Sequence, residues 1–551
     1  MIVMAAIDER GRQAWTLAVA VCVLVTCVSA VALAIWSTYY GHHPLWAEHA
    51  AYGILANLQF NDAIEHQGYL SALESTFGRA RFFLQPALLG LIWPPLLSSP
   101  YSHVLVNGLA LCLYLSLLVC FVHRRSGSRF LAISAAVMFC SLAGLYDESG
   151  GVGVPWPDYQ SMFILSSAVL SLGLYALQAR VRWLMLTGTF VTLATLARDT
   201  GAAYAAIVCV PILAWLLVSD AREGCGWRGV VGRLAACGIP ALPAVILLFG
   251  RLTFFQQYYL TANAIQLRQP LDVAAEGIWQ LFSRFTGVLP LVCGAVLLLT
   301  GLVLGSRRRW STADFVVIWW PLSFLAFFLI NGYTSDVTKE VMYIAPGLVC
   351  AMFTLAGGID MQWRPARPLV VAILSICVTG AALSATRAYD RAGHPPANAV
   401  LLRNDQRALA EALASLPQRV TWQSYSLYDW GTVVSALTAY DFGHYQPSDN
   451  RWFHNRRNYW DANFPAMDLP TLQAHVLEQA GEHIDLVIVL AHPDEKPVGM
   501  EDYSFSIASF IAEGVQADAA WTHYRDVDSA LVGALGLYLN ARRVGVKGSV
   551  E

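Results

Sequence analysis

Residues 46–68 read WAEHAAYGILANLQFNDAIEHQG, and they form the first long polar interval after the hydrophobic segment that opens the chain. Glu48 and Tyr52 stand four residues apart, which is about one turn of an α-helix. Apolar side chains form a stripe along the same segment: Ile54, Leu55, Leu58 and Phe60. A helix with one apolar and one polar face is typical of a segment that lies along a membrane surface. The stretch therefore predicts a carboxylate held beside a bilayer.

The composition of the whole chain is that of a membrane protein. Of its 551 residues, 56% are hydrophobic and only 13% are charged, whereas soluble domains carry roughly 25% charged residues. The formal net charge is −3 and the chain contains no long basic run, so it lacks the charge pattern of a nucleic-acid-binding protein. The distribution of the charges is more informative than their sum.

Eleven apolar segments approach the length of ~20 residues that a helix needs to cross a bilayer. They lie near residues 14–36, 103–122, 130–146, 161–178, 183–197, 201–219, 232–250, 286–305, 313–331, 339–358 and 368–386. Residues 86–97 are also apolar, but this segment is shorter and contains prolines, so we expect it to be re-entrant or surface-lying. We expect the first segment to be an anchor, because no small-residue cleavage site follows it at a suitable distance.

Arginine residues are concentrated in alternate loops between the predicted spans, as the positive-inside rule requires. These loops contain His123-Arg124-Arg125, Arg180 and Arg182, Arg222 and Arg228, Arg307-Arg308-Arg309, and Arg364 and Arg367. The pattern predicts a multi-pass protein of the cytoplasmic membrane with a cytoplasmic N-terminus. The other loops and the tail after Arg387 would then face the periplasm or an equivalent compartment.

The composition changes near residue 388, where charged residues, Asn, Gln and His become common. Short apolar runs at residues 419–424, 485–491, 519–524 and 534–540 alternate with helix-like segments such as 404–416 and 469–480. This alternation predicts a small α/β domain. We therefore expect a transmembrane domain of residues 1–387, with a first outward loop of residues 37–102, and a soluble extracytoplasmic α/β domain of residues 388–551.

Four polar positions lie in the predicted outward loops and close to the membrane, where ionisable residues are costly and are functional candidates by default. They are Glu48 with its neighbours His42, His43 and His49; the segment from Tyr146 to Gln160, which includes Asp158; Arg198-Asp199-Thr200-Gly201; and Asp336-Val337-Thr338-Lys339, which leads to Tyr343.

Each of these positions also has a structural interpretation. Glu48 is compatible with the polar edge of an amphipathic helix, and Asp158 with a cap of the fourth span. Arg198 and Asp199 fit a structural ion pair or interfacial anchors, and Lys339 fits a side chain that snorkels to the lipid headgroups.

Two further side-chain groups have competing interpretations. Tyr343 fits the aromatic belt of a membrane protein as well as a ligand contact. The histidines beside Glu48 carry the donor atoms of a divalent metal site, since imidazole and carboxylate bind such ions. Adjacent histidines rarely point at one ion, so we expect no structural metal there, and a divalent cation stays open as a cofactor.

The order of these motifs resembles the GT-C superfamily of integral-membrane glycosyltransferases. The nearest resemblance is to its glycosyltransferase family 39-like branch, which includes the protein O-mannosyltransferases and the lipid A aminoarabinose transferase. In that branch the first outward loop carries an acidic residue followed four positions later by Tyr, as in Glu48-His49-Ala50-Ala51-Tyr52 here. A second acidic residue before the fourth span is matched by Asp158, and a basic residue close before a Thr-Gly pair by Arg198.

The resemblance continues to the end of the membrane part and covers roughly residues 14–386. A Lys or Arg, then Tyr and Pro, enters a late span in these enzymes, and Lys339, Tyr343 and Pro346 match that order. One position departs from the pattern: many relatives have His-Pro-Pro before the second span, and this chain has Leu84-Gln85-Pro86-Ala87. The tail carries no signature of the family.

The resemblance implies direct displacement, with inversion, at the anomeric carbon of a polyprenyl-phosphate sugar. Such a reaction needs a base to deprotonate the acceptor hydroxyl, and cationic groups to hold the departing phosphate. The resemblance makes Glu48 the first candidate for the base, and partial desolvation at the bilayer edge strengthens a carboxylate as a base. Asp158 would orient the acceptor or help to hold a cation.

The same resemblance supplies candidates for the donor phosphate and for other substrate contacts. Arginine offers a planar fork for phosphate oxygens and lysine a compact charge. The phosphate candidates are Arg198 and Lys339, with Arg79 and Arg81 of the first loop as alternatives. The candidates for other substrate contacts are Tyr52, Asp199 and Tyr343. The expected partners are a polyprenyl-phosphate sugar, membrane lipids and a lipid, glycan or protein acceptor.

Two other functional classes fit a polytopic chain. A transporter or flippase of lipid-linked sugars is expected to carry charges or Gly/Pro breaks inside matched spans. A membrane receptor would use the spans as a passive anchor for a ligand-binding tail. In this chain the span interiors are nearly free of charge and the polar candidates lie on one predicted side of the membrane. This distribution favours an enzyme that is a mainly α-helical polytopic protein with a C-terminal α/β domain.

Overall fold

The computed structural model of the protein describes most of the chain, and its elements are numbered below within the described residues. These are residues 2–45, 54–76, 83–147, 151–250, 276, 279–280, 311–331, 339–356, 366–416, 420–424, 434, 437–438, 469–496, 502–530 and 533–544.

The membrane part and the first loop are helical. The helices are α1 (Ile2–His42), α2 (Ala56–Gln67), α3 (Tyr69–Thr76), α4 (Leu84–Ile92), α5 (Ser102–Ser126), α6 (Arg129–Cys140), α7 (Pro157–Gln178), α8 (Val181–Ala197), α9 (Gly201–Arg222), α10 (Trp227–Gly250), α11 (Thr312–Asn331), α12 (Lys339–Ala356) and α13 (Ala366–Gly393). Short 3₁₀ helices occupy Pro94–Ser98 and Ala143–Tyr146. The apolar segment 86–97 thus falls within the short α4 and a 3₁₀ turn, which together are too short to cross a bilayer.

Seven of the described helices are long and apolar enough to cross a membrane: Ala14–His42, Ser102–Ser126, Pro157–Gln178, Gly201–Arg222, Trp227–Gly250, Thr312–Leu329 and Val370–Gly393. Three further predicted spans coincide with shorter apolar helices, Arg129–Cys140, Val181–Ala197 and Met342–Thr354. The predicted span at 286–305 lies outside the described residues. The predicted class, a mainly helical multi-pass membrane protein, is confirmed, whereas the count of eleven spans stays a prediction.

α7 is the central helix of the bundle. Its residues from Pro157 to Tyr175 are all buried, and it packs against α5, α8, α9, α11 and α12. A helix buried on every side needs apolar or small residues around its whole circumference, and α7 is rich in Leu, Ser and Ala. Pro157 occupies the first turn, where its missing N–H costs no helical hydrogen bond. Asp158 therefore lies in the protein interior at the very start of α7.

Two polar clusters join helix ends that the arginine pattern predicts on one side of the membrane. At the end of α5, Nη2 of Arg125 donates to both carboxylate oxygens of Asp314, at the start of α11, at 2.8 and 2.7 Å. Tyr175 of α7 donates to Asp220 of α9 at 2.6 Å, and Arg233 of α10 approaches the same carboxylate to 2.5 Å. The predicted alternation of spans places the helix ends that meet in each cluster on the same side of the membrane.

The contacts divide the chain into two compact units. One unit comprises Met1–Thr38 and Gln67–Ala392, and the other comprises Tyr39–His66 and Gly393–Glu551. The second unit thus contains the beginning of the first outward loop as well as the C-terminal residues. The predicted domain boundary at 387/388 stays a prediction.

Three of the four residues in the apolar stripe of the first loop are buried inside the protein, whereas Leu55 is half-buried. The exposed fractions of Ile54, Leu58 and Phe60 are 1%, 9% and 0%. Side chains buried against protein atoms cannot also face lipid, so the expectation that this stripe rests on the membrane is wrong for these residues. The apolar residues instead pack in the interior, near the start of α2.

The C-terminal residues form an α/β unit, as the sequence predicts. Its elements are α14 (Ala397–Ala414), β1 (Trp422–Ser424), α15 (Leu469–His483), β2 (Leu486–Leu490), α16 (Asp502–Ala517), β3 (Trp521–Ser529) and β4 (Gly533–Asn540). The sheet order is β1-β2-β4-β3, with β1 parallel to β2 and the other two pairings antiparallel. All five residues of β2 are buried, which fits a central strand read from a continuous apolar run.

Asp485 ties the entry of β2 to the segment that precedes β1. Its carboxylate accepts the N–H of Thr421 at 2.8 Å, the Thr421 hydroxyl at 2.7 Å and Nε of Arg543 at 2.7 Å. Burial by itself raises the pKa of Asp485, but the hydrogen bonds from Thr421 and Arg543 outweigh it and hold that pKa below its ordinary value.

This lowered pKa makes the sheet sensitive to acid. A carboxyl whose pKa is lowered by folding stabilises the folded state above its unfolded pKa of about 3.9, and the contribution disappears as the pH falls through the folded pKa. We expect hydrogen-exchange protection of β2, corrected for the intrinsic exchange rate, to fall below about pH 4. Asp485→Asn should lower the protection at neutral pH and remove this step, whereas Asp494→Asn on an exposed turn should keep both. An unchanged acid step in Asp485→Asn would contradict the assignment.

Candidate active site

Two oppositely charged side chains meet where α7 and α8 present neighbouring ends. The two helices are antiparallel, and the Ser161 hydroxyl of α7 donates to the Ala194 carbonyl of α8 at 3.1 Å. Asp158 precedes Ser161 in the first turn of α7, and Arg198 follows Ala194 at the end of α8. These two side chains form an ion pair. The fold thus joins the second and third polar positions of the sequence into one site.

The helix ends favour the charges that they carry. The N-terminus of a helix stabilises a negative charge and the C-terminus a positive one, and Asp158 and Arg198 occupy these places. Only 1% of Asp158 and 9% of Arg198 is exposed. Because a single buried charge is strongly unfavourable, each side chain offsets the cost of burying the other. The result is a carboxylate and a guanidinium held in a fixed relation.

The connection from α8 to α9 holds Arg198 in place. Its N–H donates to Ala194 at 3.0 Å, and its carbonyl accepts the N–H of Gly201 at 2.8 Å. Asp199 accepts the N–H of Thr200 at 2.9 Å and so supports the turn from within. Asp199 and Thr200 are also buried, with exposed fractions of 5% and 6%.

Gly201 allows this turn to approach α7 and α8. A methyl group at this position would lie 2.5 Å from the Ala194 carbonyl oxygen and 3.0 Å from Oγ of Ser161. The carbonyl belongs to the backbone of α8 and cannot rotate away. The Thr-Gly pair that the sequence singles out therefore has a packing function beside the charged pair.

A buried pair of amides lies on the same end of α7. Nε2 of Gln160 donates to Oε1 of Gln85 at 2.7 Å. Both side chains are buried, and the N–H of Phe83 donates to the Leu196 carbonyl at 3.0 Å, which ties the start of α4 to the end of α8. Gln85, in the segment that departs from the predicted family pattern, thus contacts the first turn of α7, which also carries Asp158. Gln160 belongs to the second polar position of the sequence, two residues after Asp158, but the sequence assigned it no role of its own.

Tyr343 lies in an aromatic cluster. It is 2% exposed, and its ring is 4.6 Å from that of Tyr204 in α9 and 5.5 Å from that of Phe324 in α11. α12 begins at Lys339, one turn before Tyr343. The burial of Tyr343 among protein rings differs from the position of a lipid-headgroup belt residue, which lies at the membrane–water interface.

The loop before α7 is fixed by polar residues of α5 that the sequence analysis did not identify. Nδ2 of Asn107 donates to the carbonyls of Val152 at 2.6 Å and Val154 at 3.2 Å, and Nε2 of His103 contacts the Gly153 carbonyl. His103 and Asn107 stand four apart in an otherwise apolar helix, and both are fully buried. This spacing on one helix face was the available signal. The contacts set the direction from which the chain enters α7.

The remaining site candidates are only partly described. Glu48, Tyr52, His49, Arg79 and Arg81 lie outside the described residues, and of Lys339 only the backbone is described. His42 is exposed, whereas the ring of His43 stacks on Tyr39 with a centroid distance of 4.3 Å. Within the described part of the chain, no three His, Cys, Asp or Glu side chains form a group suited to a metal ion.

Comparison with known proteins identifies the fold. The sequence matches no protein-family model and no curated protein. The structure is similar to ArnT from Cupriavidus metallidurans in the apo state, with a TM-score of 0.53 and 14% identity over 96% of this chain and 99% of that one. The chain has the GT-C fold.

A second solved structure supports the assignment to the GT-C fold. It is the archaeal oligosaccharyltransferase AglB from Archaeoglobus fulgidus, in complex with an inhibitory peptide and a dolichol-phosphate. The TM-score is 0.50 and the identity 11%, over 94% of this chain and 74% of that one. The GT-C fold therefore extends over nearly the whole length of the chain.

The mutual dependence of the charged pair predicts a non-additive loss of stability. We expect Asp158→Asn and Arg198→Met each to destabilise the protein by about 3–5 kcal/mol, because each leaves one buried charge without its partner. The double variant should lose less than the sum of the two single variants. Thermal unfolding of the purified protein in detergent measures this, with exposed Arg222→Met as the control. Additive losses would show that the two charges do not stabilise each other.

The close approach at Gly201 predicts a second effect on stability. Gly201→Ala should destabilise the protein by about 1–3 kcal/mol, because the added methyl overpacks the turn against the Ala194 carbonyl. Gly238→Ala is the matched control, since Gly238 lies in α10 with no heavy atom within 4 Å of an added methyl. This control should be neutral or slightly stabilising, as alanine is the better helix former. Equal unfolding temperatures for the two variants would contradict the packing function of Gly201.

Proposed function

We propose that the protein is an inverting glycosyltransferase that moves a sugar from a polyprenyl-phosphate donor to a lipid, glycan or protein acceptor. The observation that carries the proposal is the buried Asp158–Arg198 pair at the neighbouring ends of α7 and α8, in a chain with the GT-C fold. The similar AglB structure holds a dolichol-phosphate and an inhibitory peptide. A lipid phosphate and a separate acceptor are the two ligands that the proposed reaction needs.

In the proposed chemistry, a carboxylate acts on the acceptor and a cationic group acts on the phosphate of the donor. Glu48 removes the proton of the acceptor hydroxyl as its oxygen attacks the anomeric carbon. The bond from that carbon to the phosphate oxygen breaks, and the lipid phosphate leaves with the bonding electrons. A cationic group near this oxygen lowers the barrier, because it stabilises the charge that develops there.

Arg198 is our first candidate for this cation. Its guanidinium has five N–H donors, and the ion pair with Asp158 is made through Nη1. Asp158 would thus orient the guanidinium, whose planar fork of N–H donors suits phosphate oxygens. Burial supports this assignment, since a guanidinium–phosphate contact is stronger where water is excluded. Lys339, Arg79 and Arg81 stay the alternative phosphate ligands.

Other substrate contacts and the orientation belong to the same proposal. Tyr52, Asp199 and Tyr343 are the candidates for these contacts, although Asp199 also supports the α8–α9 turn. We place the reaction at the outer face of the cytoplasmic membrane, with the N-terminus in the cytoplasm and the C-terminal unit outside. The arginine pattern of the loops supports this orientation.

Sugar transfer from a panel of radiolabelled polyprenyl-phosphate sugars tests the proposal. In cell membranes, Glu48→Gln should lower transfer by roughly 10²-fold or more while donor binding persists, because the substitution keeps the shape of the side chain and removes the base. Glu65→Gln, on an exposed part of α2, is the matched control and should leave transfer unchanged. The same assay after chelation, and again with Mg²⁺ or Mn²⁺ restored, measures any dependence on a divalent cation.

The outcomes separate the assignments. Equal transfer by wild type and Glu48→Gln would remove Glu48 as the base and bring Asp158 forward. If the wild type transferred no sugar from any donor of the panel, the glycosyltransferase proposal would fail. Translocation of lipid-linked sugars would then be the next activity to measure.

A further inference from the structure

α1 and α5 are antiparallel neighbours that meet near the C-terminal end of α1. A methyl group added to Gly108 of α5 would lie 2.8 Å from Oγ of Ser29. Two turns further along α1, the ring of Trp36 meets the ring of His103 edge-on, with a centroid distance of 5.0 Å. A small residue such as Gly108 lets two membrane helices approach closely. These contacts join the C-terminal part of α1 to the N-terminal part of α5.

A groove of about 600 Å³ separates the two helices at their opposite ends. This volume lies within the range of roughly 300–1,000 Å³ that is usual for ligand sites. On each helix the lining residues recur every three or four positions, so each wall of the groove is one helix face. The walls include Ala14, Ala18 and Val21 of α1 and Ser116, Cys120 and Arg124 of α5.

The groove lies at one end of both membrane spans. The span in α1 begins at Ala14 and the span in α5 ends at Ser126, so the residues around Arg124 are close to the membrane surface. Trp15 is 72% exposed beside the groove, and an exposed tryptophan at this level is typical of the interfacial aromatic belt. A ligand in the groove would therefore have its apolar part between the helices and its polar part beside Arg124.

Arg124 differs from its neighbour Arg125 in its electrostatic partners. Arg125 forms an ion pair with Asp314 at 2.7 Å. Among the residues that the structure describes, no carboxylate pairs with Arg124. Its guanidinium lies beside the Cys120 thiol, one turn earlier on α5, and both side chains line the groove. Because a thiol does not neutralise a guanidinium, the positive charge of Arg124 is available to an anion in the groove.

Other cations lie around the same end of the groove. Arg129 is within electrostatic range of His123, which lines the groove, and Arg182 is within range of Cys120. In the described part of the chain neither arginine forms an ion pair. Deeper in the groove the lining side chains are small or apolar. A positive charge at the membrane surface above an apolar groove is complementary to an anionic molecule with a hydrocarbon chain.

We propose that the groove between α1 and α5 binds an anionic phospholipid. The phosphate lies at Arg124, beside His123, and an acyl chain lies along the two helix faces. Basic pockets between transmembrane helices bind anionic lipid headgroups through the same combination of charge and apolar contact. A bound lipid would connect the N-terminal part of α1 to the helix bundle. This site is separate from the Asp158–Arg198 pair, and the inference does not depend on the proposed reaction.

Native mass spectrometry of the purified full-length protein in detergent tests the inference. The protein is titrated with phosphatidylglycerol or with phosphatidylcholine that has the same acyl chains. We expect the wild type to bind phosphatidylglycerol roughly tenfold more tightly, because the choline cation offsets the phosphate charge that Arg124 attracts. Arg124→Gln should abolish this preference. Arg222→Gln, at an exposed arginine that ends α9, is the matched control and should retain it.

A second pair of variants tests the groove itself. Ala18→Phe fills the groove and should weaken the binding of phosphatidylglycerol roughly tenfold, because the acyl chain loses its apolar contact. Ala30→Phe, on the exposed side of α1, is the matched control and should bind as the wild type does. Ala18 and Arg124 are both exposed, so neither substitution removes a buried contact and both variants should fold.

The contrary outcomes are equally definite. Equal affinity of the wild type for the two lipids would overturn the inference, since any lipid-facing surface binds phospholipid without regard to charge. A preference that persists in Arg124→Gln, or binding that is unchanged in Ala18→Phe, would also overturn it. Glycerol 3-phosphate carries the charge without the chains and should not displace the lipid. Displacement by this compound would mean that the site binds a soluble phosphate and not a lipid.

Discussion

The membrane part of this structure depends on two opposite charges that share one buried place. Asp158 and Arg198 are both buried, and each is carried by a helix end. Neither charge could reach water unless that helix end moved. They remain inside because the end of α7 stabilises the carboxylate, the end of α8 stabilises the guanidinium, and each charge neutralises the other. The antiparallel pairing of α7 and α8, the tight turn at Gly201 and the small side chain at Ser161 are all arranged around this contact.

The proposed glycosyl transfer would benefit from such a pair in a low-dielectric site. A cation that must stabilise a departing phosphate is most effective where water is excluded, but a lone buried cation destabilises the fold. A carboxylate partner makes the buried cation compatible with folding and fixes its direction. His103 and Asn107 bind the loop that precedes α7. These contacts fix where the chain enters α7, and so they also help to fix the direction of Asp158.

The sequence predicted the parts of the fold that depend on periodicity and composition. The apolar segments predicted the helices, and the short apolar runs of the tail predicted the four strands within the described residues. The arginine pattern predicted only the side of the membrane on which helix ends lie, and Arg125 and Asp314 are at ends that it places on one side. The polar positions Asp158 and Arg198 were identified one by one, but their contact was not, because a separation of 40 residues carries no distance information. Gln160 was part of a polar position named from the sequence, but its bond to Gln85 was not predicted, because a separation of 75 residues carries no distance information either. The stripe of Ile54, Leu58 and Phe60 was assigned to the membrane surface because an amphipathic pattern does not distinguish lipid from a protein interior.

The same limit applies most strongly to α14. From the sequence, Gln406 lies in the helix-like segment 404–416 and Arg403 immediately before it, and neither residue was singled out, although both are buried. Their burial follows only from the return of the chain to the end of α1, where carbonyl groups without helical partners accept hydrogen bonds. Arg198 and Arg403 thus both lie at the C-terminal end of a helix: Arg198 is the residue that ends α8, and the Arg403 side chain donates to the end of α1 from a distant segment. An arginine at a helix C-terminus is stabilised by the fold whether or not it binds a substrate, so its role in catalysis has to be measured by rates and not by stability.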